Sequence, residues 1–260
     1  MKRFFIDFQK YFKYSIYSAR SALNAEVAGS YLNWLWWIFN PICMMLIYTF
    51  IFGFVFGGSE KFFPIYIFIG LTLWDYFNRT VSTSVRLVKN NKAIVTKVYL
   101  PKFVLVETKM MVNFFKMLIS FVVIVGMMVV WRVPVSLNVL WIFPILAILS
   151  LLIFGLSCVI MHFGVFVDDL DNIIKILLRF VFYATGIFYA IDTRIPAPYN
   201  HYMLRLNPLA CLIDEARKAL IYQTTPNLKW LGIWLAVSLI ICAFGIHKIY
   251  KFENSYAKVI

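Results

Sequence analysis

The stretch Gly29-Ser30-Tyr31-Leu32-Asn33-Trp34-Leu35-Trp36-Trp37-Ile38-Phe39-Asn40-Pro41 decides the fold, because a basic amphipathic segment ends here and a long apolar run begins. In the preceding segment, polar residues such as Lys10 and Arg20 lie opposite a stripe of apolar residues at helical spacing. The stripe consists of Phe4, Phe5, Phe8, Tyr11, Phe12, Ile16, Ala19 and Leu23. We predict that residues 1–33 form an amphipathic helix in the headgroup plane of a membrane. Asp7 and Lys10 interrupt the apolar run that a secretory signal would need, so we expect a cytoplasmic N-terminus.

Composition also places the chain in a membrane. Of its 260 residues, 62% are hydrophobic and only 14% are charged, and the mean hydropathy is +0.81. Because so few charges cannot cover a water-facing surface, a soluble domain is excluded. We expect an all-α integral membrane protein with a transmembrane domain over residues 34–260.

Six apolar stretches approach the roughly 20 residues that a helix needs to cross a bilayer. They are residues 35–56, 64–83, 103–130, 140–167, 173–191 and 228–247. Six spans put both termini on one side. The segments on the same side of the membrane as the N-terminus hold about twice as many Lys and Arg residues as the segments on the opposite side. The positive-inside rule therefore predicts that both termini are cytoplasmic. The net charge of +13 therefore reflects topology and does not predict nucleic-acid binding.

The segment between the fifth and sixth spans is too long for a turn and too apolar for an external domain. Pro196 and Pro198 end any helix that precedes them. Asn207-Pro208 divides the remainder of the segment into two short helical pieces. We predict a re-entrant helical pair over residues 195–222, since irregular backbone at membrane depth must be buried in protein or line a cavity. The alternative is an interfacial helix lying flat.

The longest loop predicted on the cytoplasmic side covers residues 84–102. Its residues Leu87, Val88, Ile94 and Val95 are more apolar than a solvated basic loop requires. We predict that the loop docks on a partner, and that the docking residues are Asn90, Asn91, Lys92, Ile94 and Lys97.

Sequence motifs for nucleotide binding, metal binding and disulfide formation are missing or incomplete. No window has the form Gly-x-x-x-x-Gly-Lys-Ser/Thr, so any ATPase is a separate chain. The cluster Asp168-Asp169-Leu170-Asp171-Asn172 is similar to the magnesium site of membrane prenyltransferases, but its fifth position is Asn172 and no second acidic cluster completes it. The four Cys residues have no paired spacing, so neither a metal site nor a disulfide framework is indicated. We therefore predict no catalytic or metal-binding residues.

A charged residue inside a membrane span costs free energy, so each one in a predicted span should have a partner or a function. Asp75 and Arg79 are four positions apart and should pair with each other. Lys175 and Arg179 follow Asp171 at four-residue steps and form a charged stripe at the inner end of the fifth span. The stripe is either an internal ladder of ion pairs or a contact site for an anionic lipid headgroup that enters from the cytoplasmic leaflet.

Three motifs resemble the permease subunits of type-2 ATP-binding-cassette exporters for polysaccharides, which handle O-antigen, capsule and teichoic acid. Leu32-Asn33-x-x-Trp36-x-x-x-Asn40-Pro41 resembles the family's Leu-Gly-x-x-Trp-x-x-x-Asn-Pro, with Asn33 in place of Gly. Lys97-Val98-Tyr99-Leu100-Pro101-Lys102 resembles the signature before the third span, and Leu206-Asn207-Pro208-Leu209 with Arg217 resembles the outer re-entrant segment. Where the family has Arg-Asp between the fourth and fifth spans, this chain has Asp168-Asp169.

The resemblance implies a homodimer in the bacterial cytoplasmic membrane, with two copies of a separate ATPase docked on its cytoplasmic loops. Mg-ATP would bind that ATPase, and this chain would carry no cofactor. The implied substrate is a glycan on undecaprenyl diphosphate, moved from the inner to the outer leaflet. The alternatives are a drug or small-molecule exporter of the same fold, a channel or secondary carrier, and a membrane-embedded lipid-modifying enzyme. A secondary carrier should show inverted repeats, and the sequence contains none.

The same resemblance guides three predicted sets of site residues. The first is a cytoplasmic entrance with lipid-headgroup contacts, made of Asn33, Trp36, Lys175 and Arg179. The second is an outer gate made of Asn207, Pro208 and Arg217. The third is a sugar path of flat aromatic faces, which grip a moving polymer weakly, made of Tyr48, Phe52, Phe182, Tyr183 and Tyr189. The alternative for this third set is that the rings only pack against lipid or one another.

Overall fold

The computed structural model describes residues 2–28, 33–55, 57 and 60–259, leaving out the side chains of residues 2, 27, 33 and 257–259. Within these ranges the chain is helical and has no strand, which confirms the all-α part of the predicted fold, while the six spans and the re-entrant pair remain predictions. The longer helices are α1 (Lys2–Val27), α2 (Asn33–Tyr48), α3 (Phe63–Ser84), α6 (Phe103–Val130), α7 (Ile142–Phe166), α8 (Leu170–Tyr183) and α12 (Leu228–Lys251). The shorter ones are α4 (Leu87–Asn90), α5 (Lys92–Lys97), α9 (Ile191–Arg194), α10 (Tyr199–Leu206), α11 (Pro208–Arg217) and α13 (Glu253–Val259).

Four helical stretches of the described chain are long and apolar enough to cross a membrane. They are Trp34–Val55, Phe103–Val130, Leu137–Phe166 and Leu228–Lys251. The first combines α2 with a π-helical turn over Thr49–Val55, and the third combines α7 with a 3₁₀ turn over Leu137–Trp141. These stretches correspond to the first, third, fourth and sixth predicted spans, so the chain is a multi-pass membrane protein.

The second and fifth predicted spans are not among these four stretches. The second lies in α3, which has 22 residues and includes the charged residues Asp75 and Arg79. The fifth was predicted as one helix over residues 173–191, and this is wrong. Helix α8 ends at Tyr183, and residues 184–190 are irregular, with Gly186 at a φ of +67° that favours glycine.

Helix α3 lies at the centre of the bundle and packs against α2, α6, α7, α8 and α11. Its first three turns are apolar on every side, which is typical of a helix surrounded by protein. The buried apolar residues between Phe63 and Phe77 are Phe63, Ile65, Tyr66, Ile67, Phe68, Ile69, Leu71, Leu73, Trp74, Tyr76 and Phe77. Protein contacts rather than lipid therefore cover most of this helix.

Helix α1 packs along α6 through part of its apolar stripe, as an amphipathic helix should. The rings of Phe4 and Phe103 lie 5.0 Å apart, while Phe5 and Ile16 on the same stripe remain exposed. Arg3 bonds the carboxylate of Glu253 at 2.9 Å and also contacts the hydroxyl of Tyr99. These contacts join the N-terminal helix, the loop 85–102 and the C-terminal helix at one end of the bundle, which we call the basic end.

Helices α7 and α12 approach closely at two glycines. A Cβ added to Gly155 would lie 2.8 Å from the backbone nitrogen of Cys242, and one added to Gly245 would lie 3.0 Å from the carbonyl oxygen of Gly155. Small residues allow such close backbone contact between membrane helices.

We therefore expect Gly155→Ala to lower the melting temperature of the purified protein in detergent, because the added methyl meets backbone that cannot move aside. Gly232→Ala on α12 is the control, since a Cβ there has no neighbour within 4 Å. Because Ala favours a helix over Gly by about 1 kcal/mol, the control should be as stable as the wild type or more so. Equal melting temperatures for the two variants would contradict the close packing.

Candidate functional site

The irregular segment 184–190 is held by a buried arginine from α11. Arg217 is only 3% exposed, and its Nη1 and Nη2 donate to the carbonyl oxygens of Gly186 and Ile187, both at 2.9 Å. Its Nε donates to the carbonyl of Tyr66 at 3.2 Å, and the guanidinium carbon lies 3.5 Å from the centre of the Tyr66 ring. Arg217 thus supplies donors to the buried carbonyls of Gly186 and Ile187, which lie outside any regular helix.

Asn207 and Pro208 hold the same segment from the start of α11. The Asn207 side chain caps α11 by accepting from the backbone nitrogens of Leu209 at 3.1 Å and Ala210 at 3.3 Å. Its Nδ2 donates to the carbonyl of Ala184 at 3.2 Å. Pro208 occupies the first helical position, where its missing N–H has no cost. The structure therefore brings together the three residues predicted for an outer gate, although gating itself remains a prediction.

Glu215 completes this region, although no motif in the sequence points to it. Its side chain is fully buried and accepts from Arg205 at 3.3 Å, from Lys218 at 3.2 Å and from the backbone nitrogen of Asn227 at 2.8 Å. It therefore ties α10 and α11 to the start of α12. The only signal in the sequence was an acidic residue within a short, mostly apolar helix.

We expect Arg217→Lys to lower the free energy of unfolding by about 3 kcal/mol or more. A charged hydrogen bond contributes about 1.5–3 kcal/mol, and an ammonium cannot reproduce the planar fork that reaches three carbonyls. Gly70→Ala should act in the same direction, because a Cβ at Gly70 would lie 2.6 Å from Nη2 of Arg217.

The control for this prediction is Arg194→Lys, because Arg194 is exposed and bonds one carbonyl, that of Gly57, at 3.3 Å. Thermal unfolding in detergent should show large losses for the two variants at the buried site and little change for the control. Comparable stability of all three variants would mean that the buried guanidinium is dispensable.

Three of the predicted sugar-path aromatics lie near one another, around a ring, Phe188, that was not among those predicted. Phe188 is buried, stacks on Phe52 with ring centres 4.4 Å apart, and lies 4.5 Å from Tyr48 and 5.3 Å from Phe182. Trp74 of α3 joins through Phe182 at 5.2 Å. We call these five rings the aromatic cluster. They pack against one another, so their role in a sugar path stays a prediction.

The remaining two predicted aromatics lie at the edge of the cluster. Tyr183 contacts Phe182 at 5.3 Å and is 60% exposed, which makes it the most accessible ring of the predicted set. Tyr189 donates its hydroxyl to the carbonyl of Tyr183 at 2.9 Å.

Lys175 and Arg179 line a cavity of about 390 Å³ between α3 and α8. Lys175 pairs with Asp171 at 2.8 Å, whereas Arg179 has no ion pair within the described part of the chain. The other lining residues are Trp74, Asn78, Ser82, Leu178 and Phe182. We call this the headgroup cavity. Because Trp74 and Phe182 belong to both, it is continuous with the aromatic cluster.

The predicted entrance set is divided in the structure. Trp36 lines a different cavity, on another face of α3, and does not contribute to the headgroup cavity. The side chain of Asn33 lies outside the described residues. Of the four predicted residues, the structure therefore brings only Lys175 and Arg179 together.

The acidic cluster binds cations of the loop 85–102. Asp168 pairs with Lys89 at 2.5 Å, and Asp171 pairs with Arg86 at 3.1 Å. The hydrogen bond from Lys89 lowers the pKa of Asp168, so the Asp168 carboxylate stays ionised at neutral pH. Among the residues that the structure describes, no three His, Cys, Asp or Glu side chains are placed to hold a metal ion.

The predicted docking loop forms the two short helices α4 and α5. Leu87, Val88 and Val95 are buried in the core, so attributing their apolar character to a partner surface was wrong. Ile94 is 38% exposed, and Lys92 and Lys97 are exposed beside it. Asn90 is also exposed, whereas Asn91 is half-buried and donates to the carbonyl of Leu87 at 2.7 Å. We call the exposed residues of this loop the loop surface. They are Asn90, Lys92, Ile94, Lys97, Val98 and Tyr99.

Several apolar spans around a buried polar network, with an amphipathic helix and an exposed basic loop, define a multi-pass helical membrane protein. The chain belongs to the ABC-2 type transporter family, whose sequence profile matches residues 18–221. It is a transport subunit, and a permease of this family implies an ATPase partner.

Curated relatives of known name cover most of the chain. The O-antigen export system permease protein RfbA of Klebsiella pneumoniae is 27% identical over 239 residues, which are 92% of this chain and 91% of that protein. The protein of the same name in Myxococcus xanthus is 27% identical over 223 residues, 84% of each chain.

Proposed function

We propose that this chain is the permease subunit of an ATP-driven exporter that moves a lipid-linked glycan across the bacterial cytoplasmic membrane. The names of the relatives support this proposal, since both are O-antigen export permeases. The observation that carries it is the headgroup cavity, where two cations lie directly beside the aromatic cluster.

The chemistry of the headgroup cavity fits a diphosphate joined to a sugar. Arg179 has no carboxylate partner in the described chain, so its guanidinium is available for phosphate oxygens, which it matches in a bidentate fork. Asn78 and Ser82 add hydrogen-bonding groups, and the ring of Trp74 offers a flat face to the first sugar. Undecaprenyl diphosphate carrying a glycan combines these features.

Exposed apolar surface supports a homodimer around the path. Only 6% of the most apolar part of Trp34–Val55 is buried within the subunit. On α8 an exposed apolar face follows helical spacing through Ile173, Ile176, Leu177, Phe180 and Tyr183. A second copy covering these faces would enclose the headgroup cavity and the exposed Tyr183.

The loop surface is the proposed dock for two copies of an ATPase that binds Mg-ATP. Lys89 and Arg86 connect this loop to Asp168 and Asp171 at the start of α8, which also carries Arg179. Movement of the loop on ATP binding would therefore shift α8 as well as α3 and α6, which flank the loop in sequence. In this proposal the basic end and both termini are cytoplasmic, and residues 184–222 close the path from outside.

For the headgroup cavity, we expect Arg179→Gln to reduce surface glycan roughly tenfold, because losing one charged hydrogen bond of about 1.5 kcal/mol corresponds to that factor. Lipid-linked glycan should accumulate inside the cell at the same time. Immunoblots of surface and total glycan measure both quantities.

Arg20→Gln is the matched control, with the same loss of charge on an exposed residue of α1 outside this cavity. It should export normally. If Arg179→Gln exported as much glycan as this control, the headgroup cavity would not be the substrate site.

For the loop surface, Ile94→Asp should release the ATPase, because a charge replaces an apolar residue that a partner would bury. Val135→Asp makes the same change at the opposite end of the bundle, where Val135 is also exposed. Copurification of the ATPase and its stimulated ATP hydrolysis should fall for Ile94→Asp alone. Retention of the ATPase by both variants would place the dock elsewhere.

A further inference from the structure

A second polar cavity, of about 210 Å³, lies between α2, α3, α6 and the end of α1. It occupies a different face of α3 from the headgroup cavity and contains Trp36, which the structure separates from Lys175 and Arg179. The export mechanism proposed above gives this cavity no role.

The charges in this cavity balance. Lys116 of α6 pairs with Glu26 of α1 at 2.5 Å, and Arg79 pairs with Asp75 at 3.4 Å. The second pair is long and partly exposed, so both of its members keep hydrogen-bonding capacity for a ligand. Two carboxylates beside two cations disfavour a purely anionic ligand and equally a purely cationic one.

The cavity also contains an acceptor that lacks a donor. Thr72 is only 4% exposed, and its Oγ1 has no hydrogen-bond partner, which is rare for a buried polar atom. A ligand that donates a hydrogen bond would satisfy the oxygen of Thr72.

The motif at the start of the first span points to the same place. Trp36, Asn40 and Pro41 of this motif all line the cavity, although Trp36 was predicted to belong to the substrate entrance with Lys175 and Arg179. Helix α1 is predicted to lie in the headgroup plane, and its residue Glu26 brings the cavity to that depth. Phospholipid headgroups are therefore the polar molecules nearest to the opening.

We infer that this cavity binds the headgroup of phosphatidylethanolamine. Its phosphate would meet Arg79 and Lys116, and its ammonium would donate to Asp75 and Glu26. Phosphatidylglycerol carries no cation to pair with these carboxylates, and a sugar would have no use for formal charges of both signs. The site is independent of which glycan is exported.

Native mass spectrometry of the intact purified permease tests this assignment. After delipidation, the protein is titrated with phosphatidylethanolamine, phosphatidylcholine or phosphatidylglycerol of identical acyl chains. We expect phosphatidylethanolamine to be retained at least about tenfold better than phosphatidylcholine, because a trimethylated ammonium donates no N–H hydrogen bond. Equal retention of these two lipids, or preference for phosphatidylglycerol, would overturn the assignment.

Two variants locate the binding within the chain. Thr72→Val removes a hydroxyl without a protein partner and preserves the side-chain shape, so the fold should be unharmed while lipid retention falls. Asp75→Asn should lower retention further by removing the charge that faces the ammonium. Asp169→Asn, at an exposed residue outside the cavity, is the control and should bind like the wild type.

Wild-type retention by Thr72→Val would overturn the proposal even if Asp75→Asn did not fold. Displacement of the lipid by soluble glycan fragments would assign the cavity to the substrate instead. Loss of export by Arg179→Gln bears only on the headgroup cavity, so the two proposals fail separately.

Discussion

The guanidinium of Arg217 carries a positive charge into the interior of the bundle, where its N–H groups donate hydrogen bonds to main-chain carbonyls of two neighbouring segments. Buried carbonyls without donors are costly, and the irregular segment 184–190 would otherwise contain two of them. Neighbouring residues are adapted to this side chain. Position 70 requires glycine, because a Cβ there would lie 2.6 Å from Nη2 of Arg217. The ring of Tyr66 faces the guanidinium at 3.5 Å.

Helix α3 explains how a membrane protein can hold polar chemistry in its centre. It includes Asp75 and Arg79 and is not among the helices apolar enough to cross a membrane alone. Surrounding helices cover its apolar turns, and the charges of Asp75 and Arg79 pair with each other, so neither charge is left isolated. One face of α3 then contributes to the headgroup cavity and another to the cavity with Glu26 and Lys116.

Contacts run continuously from the basic end of the molecule to the segment that Arg217 holds. Ion pairs join the loop 85–102 to α8, the aromatic cluster joins α8 to Phe188, and Phe188 lies within the segment 184–190. The exposed ion pairs contribute little stability individually, so their importance in this chain is geometric. They provide a physical connection through which a partner at the loop could influence the opposite end.

Local pattern in the sequence determined much of the fold. Residues 103–130 were predicted as a span and form one helix with those bounds, and residues 228–247 lie within α12. The amphipathic helix α1 and the two short helices on either side of Asn207 were predicted as well. Apolar runs and proline positions act over a few residues, so the sequence shows them directly. The motifs also indicated the family that the sequence profile confirmed.

Tertiary structure alone decided where α8 ends and which residues share a site. The apolar run 173–191 continues past Tyr183, but donors from Arg217, about 30 positions away, satisfy the irregular backbone after it. Likewise, the burial of Leu87 and Val95 depends on neighbours distant in sequence, as does the separation of Trp36 from Lys175. A hydrogen bond or cavity wall supplied by another helix leaves no local pattern, so only the packed bundle shows it.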